Sequence, residues 1–397
     1  MSIHLQHEAY IEWLQNLKQD TIFYGTIEKI ERDGFRYRYY FNLFNERTNR
    51  FDDLVDQMET VNMVPYTFEL AIKTNHTDLF SQRQAIYQFE RVDEIEQHPD
   101  CFPATILLNI HRRYDRFNPF KNKTIYVKVT KASDEVKQDY QQRMARQLNW
   151  LKEHSTLTKH LSLSYGETFN ELVGVRYSQY YVGLGNCSYL NLGDSSRGFF
   201  NIGYVKDEAN DLYHYTGFSR HKPDFVIISS LEKENYNAAI RYGNDRLFSC
   251  DWIMPHIPKY HLNLFRLYRT IIRHGGRLYF LQYVANTSVF TIEHPAFDFQ
   301  VYFESDVSMK RYGLSLFLRY KDQFISIGNA DYNFKNKSLV YQHFDLIVLP
   351  HQSSRIKVRL QRNVKTGPLT ANPVYRLRSG FKTHRVDKQG SFIYKLK

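Results

Sequence analysis

Asp224, Glu232 and Glu234 are the residues of this chain whose types and spacing come nearest to a hydrolytic centre. Two carboxylates can hold a divalent metal ion, which lowers the pKa of a bound water, and a neighbouring lysine, here Lys233, can assist that water's attack on a phosphodiester. The three acids are therefore the candidate catalytic residues of a metal-dependent nuclease, with a divalent metal as cofactor. The intervening segment FVIISSL reads as one continuous strand. That leaves no room for a hairpin to fold the acids onto one another.

The order Pro223-Asp224, then Glu232-Lys233-Glu234, resembles the acid–acid–lysine pattern of the PD-(D/E)xK nucleases. It departs from that pattern in the missing hairpin and in Lys233 standing next to Glu232 rather than one residue beyond it. Cys250, Asp251, His256 and His261 have the residue types of a zinc site, but Pro255 and Pro258 interrupt the segment that would align them. The stretch GLGNCSYLNLG sets Cys187 among Gly183, Gly185 and Gly193. A phosphate or an oxyanion could approach such a backbone, yet there is no Walker lysine and no assignable histidine, so ordinary turn chemistry is the reading. GVRYSQYYVG echoes the GIY-YIG motif with too short a gap between Tyr177 and Tyr181 for two strands, which excludes it. Arg269 and His274 have the spacing used by HEPN ribonucleases, an all-helical fold that does not suit a strand-rich chain.

Charge distribution says more than these motifs. The net charge is +11, from 53 Lys and Arg against 42 Asp and Glu. From His351 onward there are twelve basic residues and one acid, Asp387, so the tail holds the whole formal excess. A second stretch, between Asp251 and Glu293, contains no acid and five basic residues: Lys259, Arg266, Arg269, Arg273 and Arg277. Segregated positive charge attracts a polyanion, and nucleic acid is the commonest one. The expected nucleic-acid-binding residues are Lys259, Arg266, Arg269 and Arg273, joined by Arg355, Lys357, Arg359, Arg376 and Arg378, with Tyr37, Tyr39 or Tyr375 available to stack on bases. Two rival functions fit the same charges: a structural or assembly subunit of a larger complex, and an enzyme acting on an acidic glycan or nucleotide sugar.

The elements that must position these residues are mostly strands. Aromatics make up 16% of the chain, chiefly 31 Tyr and 29 Phe, which favours β structure. The sequence predicts a hairpin turning at Asp33-Gly34 and a helix from the Ser133 N-cap to about His154, with Val136, Tyr140, Met144, Leu148 and Leu151 as its apolar stripe. A second helix is predicted over Lys259–His274, ending at Gly275-Gly276. Its apolar side carries Leu264, Leu267, Tyr268, Ile271 and Ile272, and its other side presents the basic residues to solvent. The expected fold class is α+β, predominantly antiparallel β with a few helices. The expected organisation is a β-rich N-terminal domain over 1–132, a connecting helix over 133–160, a mixed domain over 161–350 with a glycine- and serine-dense loop at 183–203, and a small basic C-terminal sheet over 351–397. Three scattered cysteines, Cys101, Cys187 and Cys250, make no disulfide framework and point to a reducing, cytoplasmic compartment. No apolar run is long enough to span a bilayer, and MSIHLQHEAYIEWLQ lacks the layout of a signal peptide.

Overall fold

The structure, a computed structural model, describes residues 3–57, 65–75, 80, 82, 84–93, 99–121, 123–166, 168–180, 186–194, 196–203, 223–256, 262–284, 287–306, 311–327, 346–349, 357–361, 381–385 and 392–396. In chain order the first elements are α1 (Ile3–Leu17), β1 (Ile22–Asp33), β2 (Arg36–Phe44), α2 (Glu46–Gln57), β3 (Thr67–Thr74), β4 (Ile86–Val92), β5 (Cys101–Asn109), β6 (Thr124–Lys131) and α3 (Asp134–His154). They are followed by β7 (Thr156–Thr158), β8 (Leu161–Leu163), β9 (Val175–Gln179), β10 (Cys187–Leu192), β11 (Arg197–Ile202), β12 (Phe225–Ile227), α4 (Asn237–Tyr242), α5 (Asp245–Phe248), β13 (Asp251–Pro255), α6 (Leu262–Arg273) and β14 (Arg277–Leu281). The last are β15 (Ser288–Ile292), β16 (Phe297–Asp306), β17 (Arg311–Tyr320), β18 (Gln323–Ile327), β19 (Leu346–Leu349), β20 (Lys357–Gln361), β21 (Phe381–Arg385) and β22 (Phe392–Lys395). The class is α+β, with mostly antiparallel strands, as the aromatic-rich, strand-rich sequence requires. Among the described residues no helix is long and apolar enough to cross a membrane.

The chain divides into two compact units whose boundaries differ from the sequence expectation. One contains residues 1–153 and 259–274, the other 154–258 and 275–397. So α3 belongs to the first unit rather than linking two others, and α6 joins that same unit from far along the chain.

In the first unit six strands close an all-antiparallel barrel in the order β1-β2-β3-β5-β6-β4. The β1–β2 hairpin turns where predicted, with Gly34 at φ 64°. Alternate residues point inward, and Phe23, Phe41, Phe68, Phe89, Phe102 and Val127 fill the interior with aromatic volume. Tyr39 belongs to that core and stacks on neighbouring rings, so it is not a surface stacker; Tyr37 packs against the same core. Ser133 caps α3 by accepting a hydrogen bond from the Val136 amide at 3.3 Å. Its deepest side chains, however, are Arg143 and Gln147, while Leu148 stays exposed. A polar anchor, not the apolar stripe alone, sets the buried face.

Among the described residues the second unit is a sandwich of two eight-stranded sheets, β22-β9-β10-β11-β12-β13-β14-β7 and β21-β20-β19-β18-β17-β16-β15-β8. Their inner faces share one core that includes Tyr177, Leu190, Phe200, Phe225 and Ile253 from the first sheet and Phe299, Val301, Leu316 and Ile325 from the second. Strands β11, β12, β13, β14 and β7 run parallel. Both faces of such strands are covered, which is why FVI and DWIMP are buried throughout. Trp252, on the face away from the shared core, stacks on Phe248 of α5 and donates its indole N–H to Leu247 O at 3.1 Å.

Two local expectations change here. Residues 187–202 of the glycine- and serine-dense stretch form the β10–β11 hairpin, because CSYLNL and RGFFNI carry buried residues on both sides of a turn in which Gly193 and Asp194 take positive φ. The C-terminal strands do not stand apart as a small sheet: β20 and β21 extend the second sheet, and β22 pairs with β9 in the first.

Candidate functional site

The predicted basic stripe of α6 is not a surface. Ten consecutive residues of the helix, Leu262 to Ile271, are buried, with Arg266 only 2% and Arg269 1% exposed. Their acids come from α2. Arg266 Nη2 donates to Asp52 Oδ2 at 3.0 Å, Arg269 reaches Asp52 and Asp56, and Arg273 Nη1 donates to Val55 O at 2.6 Å. Arg143 of α3 joins them, at 3.7 Å from Asp52 and 2.9 Å from Asp53. The Tyr66 hydroxyl donates to Asp52 at 3.0 Å, and the Arg266 guanidinium lies 4.0 Å from the centroid of the Tyr66 ring. Asn263 completes the dock: its Oδ1 accepts the Phe68 backbone N–H of β3, and its Nδ2 donates to Asn42 of β2. Buried and paired, Arg266 and Arg269 are corrected from nucleic-acid contacts to internal anchors. The remaining arginine of the acid-free stretch, Arg277, also finds its acid elsewhere, binding Asp251 through two contacts of 2.6 and 2.7 Å. Tyr165 donates to the same carboxylate at 2.8 Å. The four arginines of a stretch without acids in sequence all meet acids in space.

The candidate catalytic acids are not brought together. Asp224 precedes β12 and accepts the Arg197 backbone N–H at 2.9 Å, whereas beyond the other end of that strand Glu232 precedes, and Glu234 lies within, a short turn over Lys233–Asn235. Cys250 and His256 are likewise held at opposite ends of β13 by the strand between them, and the buried Cys250 thiol donates to Leu247 O at 3.0 Å. Among the described residues no cluster of three or more His, Cys, Asp and Glu side chains is placed to hold a metal ion.

Of the remaining basic candidates, Lys357 and Arg359 lie on β20, where the register sets Lys357 directly opposite Arg385 and Arg359 opposite Thr383 of the edge strand β21. Lys259, Arg355, Arg376, Arg378, Tyr375 and His261 fall outside the described residues.

A second group of residues, which sequence reasoning passed over, gathers at the carboxyl ends of the parallel strands. Asn201 ends β11 in a bulge: Cys187 pairs with Ile202 and Ser188 with Phe200, leaving Asn201 as the extra residue at φ 62°. Its Oδ1 accepts the Ser229 backbone N–H at 2.7 Å, just beyond β12. Asn186 donates its backbone N–H to Glu234 O at 2.9 Å and accepts from Gly203 N–H at 2.6 Å. Beneath it Gln179, Ser188 and Tyr177 bond to one another, with Gln179 Nε2 also donating to Cys187 O at 2.9 Å. His256 follows β13, and partial desolvation of its ring holds its pKa below the ordinary histidine value. The only signal in the sequence was an asparagine able to adopt a left-handed backbone, which is too common to single out.

No family model matches the chain, and no curated protein does. A solved structure of a protein of unknown function from Enterococcus faecalis V583 overlaps 44% of this chain and half of its own length, at 10% identity and a TM-score of 0.26, a likeness too slight to carry an argument.

Proposed function

We propose that the chain binds nucleic acid along the C-terminal edge of the second sheet. The reading is carried by one observation: the segment holding the whole formal charge excess contributes β20 and the edge strand β21, with Lys357 directly opposite Arg385. Like charges set directly across a strand pair repel and destabilise it. A phosphate backbone laid along that edge relieves the repulsion and releases counterions. Strand alternation puts positions 357, 359 and 385 on one face, a row suited to backbone contact rather than base readout. Cleavage is not part of the proposal, since Asp224, Glu232 and Glu234 are not assembled. The test is binding of labelled single- and double-stranded DNA and RNA at two salt concentrations, comparing the native chain with Lys357→Glu/Arg359→Glu. The double variant is expected to weaken binding to every sequence and to flatten the log–log salt slope by about 2. Unchanged affinity and slope would overturn the reading.

A further inference from the structure

We propose that the tip of the β1–β2 hairpin stacks Phe35 on an unpaired base of single-stranded nucleic acid, with Arg32 and Arg36 on the flanking phosphates. The ligand class rests on the reading of the basic edge, but the residues are different ones and belong to the first unit.

Phe35 is 95% exposed, more than any other large hydrophobic side chain among the described residues. Every other described phenylalanine is buried or half-buried. Burial of aromatic rings is a main source of stability in a chain of this composition, and at this one position the fold forgoes it.

The strand register shows how the ring is mounted. β1 pairs with β4 only over Ile22–Thr26, so Ile27–Asp33 pair with β2 alone. β2 pairs with β3 no further than Tyr37, opposite Thr74. The turn at Gly34 and Phe35 therefore stands beyond the rim of the barrel, on a two-stranded arm. That turn is pinned: Gly34 takes φ 64°, Asp33 pairs with Arg36, and Arg32 Nε donates to Gly34 O at 3.2 Å. A ring held on an ordered turn loses little freedom when it binds.

The surroundings select the ligand. From Lys29 to Arg38 the arm holds four basic residues and two acids, a net charge of +2. Arg32 and Arg36 are exposed beside the ring. Glu31 is already engaged, by Lys29 at 2.9 Å and by the Tyr40 hydroxyl at 2.9 Å. One planar ring between two guanidiniums matches one base between two phosphates. A membrane or an apolar protein groove calls for a contiguous apolar patch, whereas the neighbours of Phe35 are a glycine and arginines. A duplex must unstack before it admits a ring, so the expected ligand is a single strand.

The experiment uses the full chain and an oligothymidine strand carrying one 2-aminopurine, alone and annealed to its complement. Affinity is read by filter binding at several salt concentrations, and stacking by the change in 2-aminopurine emission. Phe35→Ala is expected to lower affinity for the single strand about tenfold and to abolish the emission change. Its salt slope and melting temperature should stay those of the native chain, because the ring carries no charge and packs against nothing. Phe35→Trp should retain binding and stacking. Arg32→Gln/Arg36→Gln should flatten the log–log salt slope by about 1.4. Affinity and emission left intact by Phe35→Ala would overturn the inference, and the edge reading would still stand if Lys357→Glu/Arg359→Glu weakened binding. The opposite pattern would overturn the edge reading and keep the tip. No binding by the native chain would overturn both. Binding to phosphatidylserine vesicles that needs Phe35, without binding to the strand, would overturn the inference by assigning the tip to a membrane surface.

Discussion

Asp52 shows how much one residue can decide. It is 1% exposed and faces the guanidiniums of Arg143, Arg266 and Arg269. Removing one partner of such a buried set leaves uncompensated charge and costs about 3–5 kcal/mol. Asp52→Asn should therefore lower the unfolding free energy of the first unit in urea titrations by that order, and a loss below about 1 kcal/mol would show the arginines to be solvated after all. Acid should act on the same residue. Burial pushes the Asp52 carboxyl pKa up, and Arg266 and Arg269 more than reverse this, holding it below the ordinary carboxylate value. A folded-state pKa below the unfolded one contributes stability that is fully present above about pH 4 and lost as pH falls through the folded value. Urea titrations at neutral and acid pH should show this loss in the native chain, and a smaller one in Asp52→Asn. The spacing of Arg266, Arg269 and Arg273 was legible in the sequence. Their exposure was not, because the acids that pair with them lie more than two hundred residues earlier.

At the scale of elements, hairpins and helix ends were readable because their determinants are local. The β1–β2 turn at Gly34, the Ser133 cap and the stop at Gly275, with φ 79°, each depend on a few adjacent residues. The β10–β11 hairpin was hidden by its glycines and serines, which suggest a loop until pairing with β9 and β12 supplies the missing bonds. Two glycines in the second unit and its connections separate conformational from steric demand. Gly275 has open space around it, so Gly275→Ala should cost about 1–2 kcal/mol, the backbone term alone. Gly203→Ala drives a methyl into the Glu234 carbonyl and should cost more than Gly275→Ala, with an overpacking penalty of about 1–3 kcal/mol or beyond. Thermal melts followed by circular dichroism would rank the two, and the reverse order would mean that the turn at Glu234 yields freely.

For the whole molecule, the first unit is discontinuous. It needs α6, which is encoded after much of the second unit. Residues 1–153 expressed alone would retain Asp52 but lose Arg266, Arg269 and the Asn263 bonds to β2 and β3. That fragment is expected not to fold cooperatively, whereas the full chain should; a sharp urea transition and dispersed NMR signals from the fragment would contradict it. A boundary drawn along the chain could not anticipate a segment that returns.

The sequence by itself determined the α+β class, the strand-rich composition, the main turns and caps, and the concentration of formal charge in the last 47 residues, since these follow from local propensity and simple counting. Only the tertiary structure decided which charges face solvent and which acids meet which arginines. Those depend on pairings between distant segments, and an arginine reads the same in sequence whether its counter-charge is a phosphate outside or an aspartate within.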